Sequence, residues 1–125
     1  MKVDISIGEL VDKVTILAIK AERISDPQKL TNIRAELDIL ATTMKAAGID
    51  SDSPEYNKLH EINSRLWDIE DAIRNKEAAK TFDQDFIELA RSVYFTNDER
   101  AAVKREINLK YGSELVEEKS YSSYK

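Results

Sequence analysis

Apolar residues recur at alternating spacings of three and four through most of the chain, and this pattern limits the possible folds more than any other feature. In the first segment the repeat consists of Leu10, Val14, Leu17, Ala21 and Ile24. Such spacing places side chains on one face of an α-helix. Only 3 Gly and 2 Pro in 125 residues offer points at which helices are broken. The sequence therefore predicts an all-α protein, an elongated antiparallel bundle of about five helices.

Capping signals predict where these helices begin and end. Ser or Thr followed three residues later by Glu forms a capping box, and proline is well suited to the first helical turn. The predicted starts are, in order, residues 6–9, Pro27, residues 53–54, Asp85 and residues 96–99. Gly48 and Gly112 are placed to end the second and fifth helices in the left-handed conformation that glycine adopts easily. The fourth helix is expected to be short, over residues 85–95.

The second and third helices are predicted to form a long central hairpin. Each has a narrow apolar seam, and a short acidic loop, residues 50–52, joins them. A short loop between two such helices favours antiparallel packing. The third helix, at about 1.5 Å per residue, would be about 39 Å long, so we expect an elongated molecule that could pair with a second copy along the seam. Residues 1–119 are predicted to form a single helical domain, with residues 120–125 as a flexible polar tail.

Composition disfavours several functional classes. The chain has no Cys and a single His, so zinc sites and hydrolase triads are disfavoured, and the three glycines are too far apart for a phosphate-binding loop. Its longest apolar run is far shorter than the roughly 20 residues of a membrane span, and no signal peptide is recognised. The net charge of -5 opposes nucleic-acid binding, which depends on basic residues. We expect a cytoplasmic protein with neither a membrane nor a nucleic acid as partner.

The third predicted helix has a polar stripe beside its apolar seam. The stripe consists of His60, Asn63, Trp67, Glu70 and Arg74, with Asp71 next to Glu70. Glu70 and Asp71 could act as acid, base or ligands of a hard metal ion, and Trp67 could stack on a ligand. In the alternative interpretation Trp67 packs beneath a later helix and Glu70 pairs with Arg74 one turn on.

A second polar stripe lies near the end of the chain. It comprises Asn97, Arg100, Lys104 and Asn108 of the fifth predicted helix, with Arg91, across the turn on the fourth, as an alternative to Arg100. Arginine binds phosphate and carboxylate groups through paired hydrogen bonds, so this face could hold an anion or an acidic partner. It could equally be a solvated face, or the two stripes could meet in one internal salt-bridge network.

Two pairs of carboxylates have a spacing that is used in magnesium enzymes. Glu9 and Asp12, and likewise Asp68 and Asp71, share a helical face three residues apart. Helical Mg-dependent nucleotide pyrophosphohydrolases use such pairs, but they also require a dense cluster of acids ahead of them, which is absent here. We assign no metal ligands and no cofactor from this pattern, and Mg²⁺ is kept only as an alternative.

Four separated segments, read together, resemble a family catalogued as a domain of unknown function. They are residues 8–24 (GELVDKVTILAIKAERI), 66–77 (LWDIEDAIRNKE), 86–108 (FIELARSVYFTNDERAAVKREIN) and 112–121 (GSELVEEKSY). The resemblance spans nearly the whole chain and is weakest over residues 31–53. It implies a shared fold and a bacterial or phage source, and it places both polar stripes in recurring motifs, but it implies no activity.

Two functional hypotheses follow from the sequence. The first is a small helical interaction or accessory module that binds a protein partner or forms a homodimer. The alternative is a binder, or a Mg-dependent enzyme, that acts on a phosphorylated sugar or nucleotide. In this alternative Glu70 and Asp71 hold the metal, while Arg100 and Lys104 hold the anion.

Overall fold

The computed structural model of the chain describes residues 1–124, and over these residues the protein has four α-helices and no β-strand. The helices are α1 (Ile7–Arg23), α2 (Pro27–Ala46), α3 (Pro54–Ala78) and α4 (Gln84–Lys110). The all-α prediction is confirmed. Lys125, the last residue of the predicted tail, lies outside the described residues.

Side-chain caps begin each helix, three of them at positions that the sequence indicated. The Ser6 hydroxyl accepts a hydrogen bond from the backbone N–H of Glu9 at 3.1 Å, and Asp26 and Ser53 cap α2 and α3 ahead of their first-turn prolines. Asp83 caps α4 by accepting from the N–H of Phe86. Each cap satisfies one or two of the N–H groups that have no partner within the helix, which stabilises the start of the helix.

The prediction of five helices is wrong, because α4 runs without interruption through residues 96–99. A capping box begins a helix only when the preceding residues are not helical, and here residues 84–95 already are. Neither Gly nor Pro occurs between Gln84 and Lys110 to break the helix. Thr96 is buried in the middle of α4 instead of capping a new helix.

Helix α1 lies at the centre of the molecule, and this position changes the predicted pairing. It packs against α2, α3 and α4, whereas α2 and α3 make no close backbone approach to each other within the described chain. The hairpin is instead formed by α3 and α4, which run antiparallel: Arg65 pairs with Glu99, and Lys76 with Asp83. The physical reason is that α1 is the most apolar helix and occupies the space that a direct α2–α3 contact would need.

The hydrophobic core surrounds α1 at one end of the α3–α4 hairpin. Its fully enclosed side chains include Val11, Leu59 and Ile107, one from each of α1, α3 and α4. Ile49 joins the core directly after Gly48, which has a φ of 85° and ends α2 in the predicted left-handed conformation.

The other end of the hairpin is open. No residue from 64 to 95 is buried, although this segment contains many apolar side chains. We call residues 64–95 the distal arm. Within residues 1–124, none of the helices combines the length and apolar character that crossing a membrane requires.

The C-terminal segment after α4 folds back along that helix without regular structure. Gly112 turns the chain with a φ of 64°, and Glu118 then pairs with Arg105 at 2.9 Å. Near the end, the Tyr124 ring packs against Tyr94 with 5.1 Å between ring centres. The segment therefore covers part of the outer face of α4.

Candidate functional site

A buried carboxylate joins three helices. Asp12, on α1, is fully enclosed, and its Oδ1 accepts hydrogen bonds from Arg100 Nε of α4 and from Asn63 Nδ2 of α3, each at 2.9 Å. A second hydrogen bond, from Arg100 Nη2 to Asp12 Oδ2, makes the Arg–Asp contact bidentate. Paired and charge-assisted bonds of this kind are stronger than neutral ones and fix orientation. The contact therefore sets the positions of the Arg100 and Asn63 side chains.

Thr15 completes the environment of Asn63. The Asn63 amide also donates to Thr15 Oγ1 at 2.9 Å, and the Thr15 hydroxyl donates to the backbone carbonyl of Asp12 at 2.7 Å. Each polar group that this part of α1 buries is thereby satisfied, as buried polar groups must be to avoid a large desolvation cost.

The contacts among Asp12, Thr15, Asn63 and Arg100 form a buried polar network, and Lys104 extends this network toward the C-terminal segment. Its ammonium lies 2.7 Å from Glu9, 3.6 Å from Glu117 and 3.9 Å from Asp12, and its side chain is 9% exposed. Three acids lie around the two cations Arg100 and Lys104, and Lys13, 3.8 Å from Glu9, balances the third negative charge. The sequence predicts that Lys104 faces a partner or an anion, whereas in the structure these ion pairs occupy its ammonium and little of the side chain reaches the surface.

Asn108 caps the N-terminus of α1 from a different helix, α4. Its Oδ1 accepts from the backbone N–H of Gly8 at 2.6 Å, and Ser113 Oγ accepts from the N–H of Ile7 at 3.0 Å. A side chain at Gly8 would overlap the backbone carbonyl of Lys104, so only glycine allows this close approach of α1 and α4. Asn108 therefore holds the two helices together at their crossing.

A groove lies between α1, α3 and α4 next to this network. Its volume is about 490 Å³, within the range of small-molecule sites. We call it the central groove, and it is lined by Ile16, Ile19, Lys20, Asn63, Leu66, Trp67, Glu70, Asp71, Asn97 and Arg100. Six of the residues singled out from the two polar stripes thus share one groove, and Lys20 of α1 joins them.

The remaining stripe residues lie elsewhere. Arg74 pairs with Glu70 at 3.5 Å and is largely exposed, as the structural alternative proposed. Arg91 lies 3.5 Å from Glu88, and its guanidinium is 5.7 Å from the centre of the Phe95 ring.

Lys104 is not part of the central groove. It lines a second cavity of about 1000 Å³ between α4 and the C-terminal segment, which Arg100 and Asn97 also line. Glu70 and Lys104 therefore line different cavities, and Arg100 and Asn97 line both.

Arg100 occupies the boundary between the two cavities. Its hydrogen bonds to Asp12 raise the pKa of the guanidinium, and the nearby charge of Asp12 acts in the same direction against the effect of burial. Asp12 takes the edge formed by Nε and Nη2, while Nη1 donates no hydrogen bond within residues 1–124. Arg100 lines both cavities, and the guanidinium edge that includes Nη1 has no hydrogen-bond partner in the described part of the chain.

Residue patterns pointed only weakly to the α1 half of the network. The spacing of Glu9 and Asp12 was visible, but it suggested a metal site, and Thr15 and Glu117 were not singled out. The usable signal was a polar face, Gly8, Asp12 and Thr15, on a helix that is otherwise apolar nearly all round. A carboxylate placed on such a face requires a buried cationic partner.

The described residues form no cluster of potential metal ligands. Over residues 1–124, no group of three or more His, Cys, Asp or Glu side chains is arranged to hold a metal ion. Mg²⁺ binding by Glu70 and Asp71 stays a prediction from the sequence.

Comparison with known proteins gives a family but no function. No curated protein matches the chain. No solved structure matches it either. The sequence model of one family matches residues 1–124, nearly the whole chain, including every residue of the network and the central groove. The chain therefore belongs to DUF6165, a family of unknown function.

Proposed function

We propose that this protein is a small helical interaction module that associates with a second copy of itself through the distal arm. The observation that carries this proposal is the absence of any buried residue from 64 to 95 in the isolated chain. Large apolar side chains in this arm are exposed, among them Phe82 (54%), Ile87 (47%), Tyr94 (41%) and Phe95 (41%). Exposed apolar side chains with several aromatic residues among them are typical of protein interfaces.

The balanced charges of the arm favour a second copy of the chain as its binding partner. Every basic side chain in the arm has an acidic partner in the same chain: Arg65, Arg74, Lys76, Lys80 and Arg91. No strong field of one sign remains to select a highly charged partner or to repel an identical surface. Two such hairpins, packed together, would form a four-helix bundle and cover both apolar faces at once.

The proposal is tested with a charged substitution inside the arm and a matched one outside it. Ile87→Glu places a carboxylate on the exposed apolar surface of α4, whereas Leu109→Glu does so on the same helix at a site that is 66% exposed and outside the arm. Both side chains are exposed, so both variants should remain folded by circular dichroism.

We expect Ile87→Glu to be monomeric under conditions in which the wild type and Leu109→Glu are dimeric, as measured by light scattering after size exclusion. Equal dissociation of both variants, or of neither, would contradict a dimer built on the arm.

A further inference from the structure

We infer that the central groove binds a nucleoside monophosphate, with the phosphate on the outer edge of the Arg100 guanidinium and the base against Trp67. This inference does not depend on self-association, because it rests on side chains of a single chain. Three features of the groove support this inference: a preorganised anion site, apolar side chains beside Trp67, and a carboxylate that can accept hydrogen bonds.

The anion site is centred on Arg100. Asp12 holds the guanidinium through Nε and Nη2, and a guanidinium can present a second pair of N–H groups to another anion while the first pair stays bound. Arginine in this geometry binds phosphate oxygens with directed, charge-assisted hydrogen bonds. Because Asp12 already fixes the side chain, little conformational entropy remains to be lost on binding.

Two further donors line the same groove. The Lys20 ammonium and the Asn97 amide make no side-chain hydrogen bond or ion pair within residues 1–124. Asn97 precedes Arg100 by three residues on α4 and therefore shares its helical face. An anion at Arg100 thus has a second cation and a neutral donor in the groove.

The apolar side chains of the groove suit a flat ring. Trp67 lines the groove together with the apolar side chains of Ile16, Ile19 and Leu66. The Arg23 guanidinium, which pairs with Asp68 at 2.6 Å, lies over one face of the Trp67 ring, 5.7 Å from its centre, so a base would stack on the other face. An indole face stacks well on a nucleobase and does not select strongly among bases.

Acidic side chains account for the remaining polarity of the groove. Glu70 is paired with Arg74, whereas the Asp71 carboxylate has no hydrogen bond or ion pair in the described part of the chain. A carboxylate in a groove that also binds an anion accepts hydrogen bonds from hydroxyl or amino groups. Ribose hydroxyls supply such donors. A nucleoside phosphate therefore has contacts for both the cations and the Trp67–Asp71 part of the groove, whereas inorganic phosphate has contacts for the cations alone.

The test uses the fluorescence of Trp67, which is the single tryptophan of the chain. The full-length protein is titrated with AMP, GMP, CMP and UMP, and separately with inorganic phosphate and the four nucleosides. We expect a saturable change in emission with at least one nucleotide below about 1 mM. The matching nucleoside and inorganic phosphate should each bind at least about tenfold more weakly, because each lacks half of the contacts. Titration of Ile87→Glu in parallel shows whether binding depends on the oligomeric state.

Two variants test the placement without disturbing the buried network. Lys20→Ala and Asn97→Ala should each weaken nucleotide binding about tenfold, because each removes one hydrogen bond to a charged group. Lys13→Ala is the matched control, since Lys13 lies on the same helix, does not line the groove and makes only an exposed pair with Glu9 at 3.8 Å, which contributes little to stability. No response to any of the four nucleotides up to about 1 mM would overturn the inference. An equally tight nucleoside, or unchanged affinity in both variants, would do the same.

Discussion

Asp12 is the residue through which α1 is tied to both helices of the hairpin. It is fully enclosed and bound by Arg100 and Asn63. A buried ion pair contributes little compared with a well-packed apolar pair, but the loss of one partner leaves the other charge buried and uncompensated. The network is therefore more important for the specific arrangement of the helices than for net stability.

Replacement of Asp12 by Asn should lower the free energy of unfolding by about 3–5 kcal/mol, because Arg100 would lose its counter-charge. Glu70→Gln, which breaks the exposed pair with Arg74, should cost at most about 1 kcal/mol. Urea unfolding followed by circular dichroism measures both. Similar losses in the two variants would show that Asp12 is not buried in an ion pair.

Gly8→Ala should be destabilising, although alanine normally stabilises a helical position by roughly 0.5–1 kcal/mol relative to glycine. The added methyl group would overlap the backbone carbonyl of Lys104, so α1 must move away from α4. We expect a loss of about 1–3 kcal/mol, as for other overpacked sites, in thermal or urea unfolding. A stability equal to or above that of the wild type would show that the two helices are farther apart.

Glu55 should make stability depend on acid pH. Its hydrogen bond from Lys110 lowers the pKa of the carboxyl from the reference value of 4.5 in the folded state. The unfolded chain therefore binds this proton first, so the contribution is complete above about pH 5.5 and is lost as the pH falls through 4.5 toward the folded pKa.

The variant Glu55→Gln should lose less stability than the wild type between about pH 5.5 and pH 3, measured by urea unfolding at several pH values. Parallel pH profiles in the two proteins would count against this ion pair.

At the scale of the helices, the continuity of α4 is the feature that departs most from the sequence pattern. A helix that began at Thr96 would accept proline at residue 97, the first helical position. In the continuous helix the same substitution removes a hydrogen bond and causes a steric clash, at a cost of about 3 kcal/mol or more.

Asn97→Pro is accordingly expected to be strongly destabilised, whereas Gln84→Pro, which follows the Asp83 cap at the first position of α4, should be tolerated. Thermal unfolding of the two variants distinguishes the two structures. A stable Asn97→Pro protein would indicate a helix boundary at Thr96.

Local signals predicted most of the helix boundaries, because the caps at Ser6 and Ser53 and the turn at Gly48 depend on neighbouring residues only. They failed at Thr96, where the residues of a capping box occur inside a helix. The pairing of helices was harder to predict, because α2 and α3 each have an apolar seam and are joined by a short loop, which favours a direct hairpin. The apolar residues around most of α1 indicate a buried helix, but its position between α2 and α3 depends on tertiary packing.

At the scale of the whole molecule, the sequence indicates which polar residues meet but not what they contact. Asn63, Trp67 and Arg100 were singled out from their spacing, and the structure brings them to one groove. The sequence does not indicate Asp12 as the partner of Asn63 and Arg100, because these contacts join positions far apart in the chain. The open distal arm was not predicted either, since the same apolar seam is compatible with burial inside one chain.

The proposed function requires that a second copy covers the exposed apolar side chains of the distal arm. The most direct measurement is sedimentation equilibrium of the wild-type protein over a series of concentrations. We expect a mass of twice the 14.3 kDa of one chain at high concentration, falling toward one chain on dilution. A mass of one chain at every concentration would contradict self-association through the distal arm.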